Sequence, residues 1–151
     1  MKDALQQLLD ERDAARVVID LFVATDRRDW AKVEACLAPR LMLDMTSLAG
    51  GTPQEVTGAA LAAMWRDGLA PIDHVHHQVG NLVVTVGGDE ANATCYGIAL
   101  HHRKVASPQR TRVFVGSYRI HLVRLERRWR IDRFAFDLAF LEGNLELEGE
   151  T

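Results

Sequence analysis

One acid and two histidines carry the chemistry open to this sequence. Asp26 lies in the stretch Ala24-Thr25-Asp26-Arg27-Arg28-Asp29-Trp30, where a long amphipathic segment ends. His77 closes His74-Val75-His76-His77, and His101 opens His101-His102-Arg103. A carboxylate hydrogen-bonded to an imidazole fixes its tautomer and stabilises its cation, so the other ring nitrogen can take a proton from a substrate. A second imidazole can assist as acid or second base. Such a set moves protons on a small organic molecule and calls for neither metal nor cofactor. Plainer roles exist for the same residues. Aspartate is common where a helix turns, and an inward histidine is more often a satisfied core residue than a catalyst.

Other chemistries find less support. His74 and His76 share one strand face, but no third ligand stands at metal spacing. There is no glycine-rich phosphate loop, nucleophile elbow or Ser/His/Asp order. Cys36 and Cys95 form no CxxC pair and read as reduced thiols of a cytoplasmic protein. The net charge of −3 gives no electrostatic case for nucleic acid or membrane partners. The short basic clusters (Arg27-Arg28, Arg110 to Arg112, Arg124 to Arg130) read as solvated strand edges and turns. No apolar run approaches the ~20 residues of a membrane span, and the opening residues carry no signal-peptide pattern. The acidic residues from Glu146 onward are expected to fray.

The elements that must position these residues follow from periodicity. Residues 3 to about 24 read as one helix with an apolar stripe of Leu8, Ala15, Val18, Ile19 and Phe22. Asp29 is an N-cap for a short second helix burying Trp30, Val33 and Leu37, stopped by Pro39. Leu41 to Ser47 alternates as a strand, with Asp44 outward and Met45 on the opposite parity. Thr57-Gly58 opens a third helix that buries Leu61, Met64 and Trp65 and ends near Gly68 and Pro71. Strands are expected at about 74–86, 91–105, 111–125 and 129–137. Helices followed by antiparallel strands give an α+β domain spanning 1–151. A strongly curved sheet closed by about three N-terminal helices would form a cone-shaped barrel with an interior ligand cavity.

Register brings the histidines together. Gly87-Gly88-Asp89 is a strong hairpin turn. If Gly87 faces Ala91, His77 and His101 face one another on one side of the sheet, beside Cys95, Gly97 and Ala99, with Val79 and Val83 on the first strand. A one-residue bulge would defeat this pairing. Ser117, Arg119 and His121 share one face of the next strand, and parity alone leaves that face inward or outward.

The chain resembles the SnoaL-like branch of the nuclear transport factor 2-like superfamily over nearly its whole length, and within it the scytalone dehydratases. The resemblance rests on Thr25-Asp26-Arg27-Arg28-Asp29-Trp30 through Cys36-Leu37-Ala38-Pro39 to Leu43-Asp44-Met45. It continues through His77-Gln78-Val79-Gly80-Asn81, Ala99-Leu100-His101-His102-Arg103, and Ser117 to Trp129-Arg130-Ile131. Phe134-Ala135-Phe136-Asp137 to Phe140-Leu141-Glu142-Gly143 closes it. It implies a cone-shaped α+β fold with a ligand inside, no cofactor, and a homodimer or homotrimer. It places catalytic groups at Asp26, His77 and His101. Substrate contacts fall at Thr25, Met45, Val79, Asn81, Ser117, Arg119, Phe136 and Phe140. The related hexachlorocyclohexane dehydrochlorinases use an Asp–His dyad that falls on Asp26 and His77.

The departures are informative. Two tyrosines that hold water on the substrate carbonyl in scytalone dehydratases fall at Thr25 and Met45, and a pocket asparagine falls near Arg119. Scytalone is therefore not the expected substrate. The leading reading is a lyase for a small, mostly apolar, cyclic or aromatic-derived molecule with an acidic C–H beside a leaving group. An isomerase or polyketide cyclase would use the same proton abstraction. A non-catalytic small-molecule-binding domain is the third reading.

Overall fold

The computed structural model describes residues 3–149. The element order is α1 (Ala4–Asp26), α2 (Trp30–Cys36), β1 (Leu37–Asp44), α3 (Thr46–Ala49), β2 (Gln54–Thr57), α4 (Gly58–Leu69), β3 (His74–Gly87), β4 (Glu90–His102), β5 (Thr111–Leu125) and β6 (Arg128–Gly143), followed by a 3-10 turn at Leu147–Gly149. The fold is α+β, as expected. One curved sheet runs β2-β1-β6-β5-β4-β3, and it stays open because β2 and β3 are both edges. Among the described residues only β1 and β6 pair in parallel.

The starts of α1, α2 and α4 are capped by side chains, whereas α3 begins at Met45 without one. Asp3 accepts from Leu5 N–H, Asp29 from Lys32 N–H, and Thr57 from Ala60 N–H. The rotation of α1 differs from expectation. Its buried side is Asp10, Ala14, Val18, Leu21, Phe22, Ala24 and Thr25, while Leu8 and Ile19 are 63% and 41% exposed. Apolar residues occur on both flanks of this helix, so periodicity alone permits two rotations. Tertiary packing against the sheet selects one.

Two further boundaries shift. Leu37 and Ala38 are buried in β1 instead of continuing α2. The strand ends at Asp44, not Ser47, because the Asp44 carboxylate accepts from Thr46 N–H (3.1 Å) and Thr46 Oγ1–H (2.6 Å), which turns the chain into α3. In α4, Leu61 and Ala62 are buried but Met64 is 50% exposed.

The C-terminal segment does not fray within the described residues. Leu147 is completely buried against Ile72 and Val105. Arg103 Nη1–H donates to the Leu147 and Glu148 carbonyls at 2.9 and 2.7 Å.

Candidate active site

The loop after α1 sets the position of Asp26. Asp29 N–H reaches back to the Ala24 carbonyl (2.9 Å) and Arg28 N–H to the Thr25 carbonyl (3.0 Å), closing the helix. Arg28 adopts φ 58°, an uncommon conformation for a residue with a side chain. Its guanidinium is tied to the end of α4, donating to the Leu69 carbonyl at 2.9 Å and to the Ile72 carbonyl. The Asp-Arg-Arg-Asp motif thus anchors the helix end that carries Asp26.

Asp26 meets β3 at His77. Its Oδ2 accepts from the His77 backbone N–H at 2.8 Å, and its Oδ1 lies 2.6 Å from His77 Nδ1. A carboxylate only accepts when ionised, so the ring places its proton on Nδ1 and leaves the Nε2 lone pair free. Both side chains are largely buried, at 15% and 19% exposure.

His101 is also buried, and its surroundings are the reverse. Arg112 presents Nη2 at 3.0 Å and Nε at 3.3 Å to His101 Nδ1. Guanidinium cannot accept a hydrogen bond, so Nδ1 is the acceptor and the neutral ring carries its proton on Nε2. Burial pushes the His101 pKa down to about 4, with the Arg112 and His77 charges adding to the effect. The ring is therefore neutral at neutral pH.

The two imidazoles share a pocket of about 160 Å³. Its wall is mainly aromatic: Phe22, Trp65, Phe114, Tyr118, Phe134 and Phe136, with Thr25, Met45 and Ala99. Tyr118 stays a phenol, because burial raises its pKa and the nearby Cys95 and Asp26 add to this. Gly97 makes room for it: a Cβ there would lie 2.1 Å from Tyr118 Cε2.

The family model of the SnoaL-like domain matches residues 6–135, which take in most of α1, the Asp26–His77 pair and the pocket wall except Phe136. The chain belongs to the SnoaL-like domain family. No curated protein matches it. Among solved structures it is similar to Kfla4162 from Kribbella flavida, with 20% identity, TM-score 0.87, and 97% of this chain covering 99% of that one. It is similar to LinA-type3 hexachlorocyclohexane dehydrochlorinase from Novosphingobium barchaimii LL02, with 13% identity, TM-score 0.78, and 95% of each chain covered. It is also similar to a scytalone dehydratase candidate from Novosphingobium aromaticivorans DSM 12444, with 15% identity, TM-score 0.77, and 91% of this chain covering 89% of that one. At these identities the likeness is one of fold.

In this SnoaL-like domain the hairpin register differs from expectation twice. Gly87 faces Glu90, not Ala91, and β3 bulges between Gly80 and Val83. As a result His77 faces Ala99 and His101 faces Val75. The histidines are diagonal neighbours on one face instead of direct partners. The two one-residue changes combine to an even shift, which preserves the face.

Several expected substrate contacts lie elsewhere. Asn81 sits in the bulge with φ 54° and is exposed, so it serves the backbone bend, a conformation asparagine tolerates. Past the bulge, Val83 turns outward and is 62% exposed. Val79 packs against the core instead of lining the pocket. Arg119 lies on the outer sheet face, 60% exposed, bound to Asp137 at 2.7 Å and 4.0 Å from Asp44. Its neighbours Tyr118 and Ile120 take the inner face. Ser117 lines a shallow outer groove with Tyr96 and Ile98. Phe140 faces the same way as its partner Val115 and is half exposed, because β6 carries an extra residue opposite Val115–Gly116.

The sequence reading missed Phe114, Tyr118 and Phe134 as pocket lining, and Arg112 as a partner of His101. The signal for Tyr118 was present. Phe114, Tyr118, Ile120 and Leu122 form the apolar phase of β5, which assigns Ser117 and Arg119 to the outside. Arg112 sits in that inward phase, yet its neighbours Arg110 and Thr111 disguise it as part of a solvated cluster. It is instead 11% exposed. Among the described residues no group of His, Cys, Asp and Glu could hold a metal ion, and no helix is long and apolar enough to cross a membrane. Cys36 and Cys95 are free and buried, which raises both thiol pKa values to about 11.

Proposed function

We propose that this protein is a cofactor-free lyase whose base is His77. The observation that carries this reading is the Asp26–His77 hydrogen bond at the wall of an apolar pocket. Asp26 holds the Nδ1–H tautomer and stabilises the cation formed when Nε2 takes an acidic C–H proton. His101 faces the same pocket as a neutral hydrogen-bond donor. It is suited to the departing group or to the carbonyl oxygen on which negative charge develops.

This assignment answers the missing polarising tyrosines. Thr25 donates its hydroxyl hydrogen to the Leu21 carbonyl (2.8 Å), Met45 has none to give, and Arg119 lies outside. Among the lining side chains the remaining donors are the His101 Nε2–H, the Tyr118 phenol and the Trp65 indole N–H. The pocket volume is enough for about one ring, since a dry cavity of about 150 Å³ accommodates benzene. The substrate class is thus a single-ring, mostly apolar compound with an acidic C–H beside a leaving group, activated by a carbonyl or halide.

Isomerisation or ring closure would begin with the same proton removal, so the deciding experiment separates these steps. Single-ring β-hydroxy ketones and halocycloalkanes are incubated with the enzyme in D2O and followed by NMR and mass spectrometry. Loss of water or halide supports the lyase. Deuterium uptake without mass loss assigns an isomerase or cyclase. Saturable binding with neither overturns catalysis and leaves a binding domain. The same reading takes residues 1–151 as one domain of a cytoplasmic homodimer or homotrimer. The exposed Tyr96, Ile98 and Phe140 on the outer sheet face support self-association, and sedimentation velocity measures it.

A further inference from the structure

We propose that Glu148, in the C-terminal 3-10 turn, is a positioning residue of the site: through Arg112 it fixes His101 as a hydrogen-bond donor and removes it as a second base. The chain of contacts is continuous. Arg112 Nη1–H donates to Glu148 Oε2 at 2.7 Å, and Nη2 is bound to Glu148 Oε1. From the same guanidinium, Nη2 and Nε reach His101 Nδ1. A two-pronged carboxylate grip holds the plane of an arginine as a single contact cannot. The Arg112 head is therefore aimed, and its nitrogens can present only hydrogens to His101.

The turn that carries Glu148 is anchored for this task. Leu147 is fully buried beside Ile72 and Val105, and Arg103 clamps the Leu147 and Glu148 carbonyls. Burial alone would raise the Glu148 carboxyl, but the hydrogen bonds and charge of Arg112 outweigh this, and its pKa is lowered. The carboxylate also supplies the countercharge that a largely buried guanidinium needs. With Arg112 behind it, the His101 Nε2–H faces the pocket as a polarised donor. The substrate atom placed there is an oxygen or halogen that gains negative charge during reaction. This refinement rests on the proposed His77 chemistry for its purpose, but not for its test.

The test reads the tautomer directly in the substrate-free protein. Long-range 1H–15N correlation spectra at pH 7 distinguish a protonated from an unprotonated ring nitrogen, and the His101→Gln variant assigns the signals. The wild type is expected to show His101 with Nε2 protonated and Nδ1 bare. In Glu148→Ala the two nitrogen shifts should move toward each other as both tautomers become populated, and Glu148→Gln, which keeps an acceptor oxygen, should restore most of the separation. A wild-type ring protonated at Nδ1 overturns the proposal without any variant. So does a Glu148→Ala protein that loses thermal stability while the His101 shifts stay put, since that is a structural role only. Shifts that move as expected in a protein that turns over no substrate leave the tautomer device intact and remove the lyase reading alone.

Discussion

His77 and His101 stand on one face of adjacent strands and line one pocket, yet their Nδ1 atoms meet opposite charges. His77 meets the Asp26 carboxylate, and His101 meets the Arg112 guanidinium. The carboxylate makes His77 a donor behind and an acceptor in front. The guanidinium makes His101 an acceptor behind and a donor in front. One residue type thus presents both an acceptor and a donor to the same pocket, and the difference comes from which element packs behind each ring. The end of α1 stands behind His77, while β5 and the C-terminal turn stand behind His101. Two rings with the same backing would present two acceptors or two donors to the pocket instead of one of each.

The largest effect should come from removing the accepting ring. His77→Ala is expected to lower kcat by about 10²–10⁴-fold while ligand binding, measured by calorimetry, is kept. Near-normal turnover would take His77 out of the mechanism. Asp26→Asn should come next, because it turns His77 into a copy of His101. The amide oxygen must serve the His77 backbone N–H, which leaves the NH2 group facing Nδ1. The ring then shifts its proton to Nε2 and cannot accept, so a loss of roughly 10²-fold or more in kcat is expected. Nitrogen NMR should report the tautomer change, and an unchanged tautomer would break the comparison at its first term.

Arg112→Leu tests the second term. With the cation gone, the His101 pKa should climb from about 4 toward the ordinary imidazole range, although burial, the larger cause, remains. An NMR titration measures this directly. A pKa that stays in place would mean that Arg112 does not tune the ring. Gly97→Ala leaves both backings intact and disturbs only the wall between them. The new methyl would strike the Tyr118 ring. A cost of about 1–3 kcal/mol is expected, read as a Tm lowered by roughly 2–12 °C with both tautomers unchanged.

The sequence made the first term of this comparison legible and hid the second. Asp26 and His77 could be paired because the resemblance to the hexachlorocyclohexane dehydrochlorinases implies that dyad, while an N-cap at Asp29, a hairpin at Gly87-Gly88 and alternation through β3 located the elements that carry it. The α+β class followed from the order of those signals. The diagonal placement of His101 was not legible, since the bulge at Asn81 depends on sheet curvature and not on a strong local code. The two rings shared a face because one register error offset another. The backing of His101 was out of reach for a different reason. Arg112 and Glu148 are 36 residues apart, and each reads locally as a solvated charge. Only the burial of Leu147, a tertiary event, brings them together. The misplacement of Arg119 and Phe140 has the same kind of origin, since face assignment in β5 and β6 turns on a bulge and on which phase finds a core.

A last prediction uses the whole protein's response to acid. The folded His101 pKa is depressed to about 4, below the value of about 6.5 that the ring has when unfolded. Between these values the unfolded chain binds a proton that the folded chain refuses, so folding is linked to proton release. The stability associated with a neutral His101 is therefore complete above pH ~6.5 and is lost as pH falls toward about 4. Its size is at most on the order of 3 kcal/mol. Paired carboxylates such as Asp137 and Glu148, held below their ordinary values by Arg119 and Arg112, lose their contribution at lower pH still. Urea denaturation from pH 7.5 to 4 in wild type and His101→Gln isolates the histidine. The uncharged variant should show a flatter profile across pH 6.5 to 4 and run parallel to wild type below it. Parallel profiles over the whole range would mean that His101 protonates as easily in the fold as outside it, and the contrast with His77 would then rest on geometry alone.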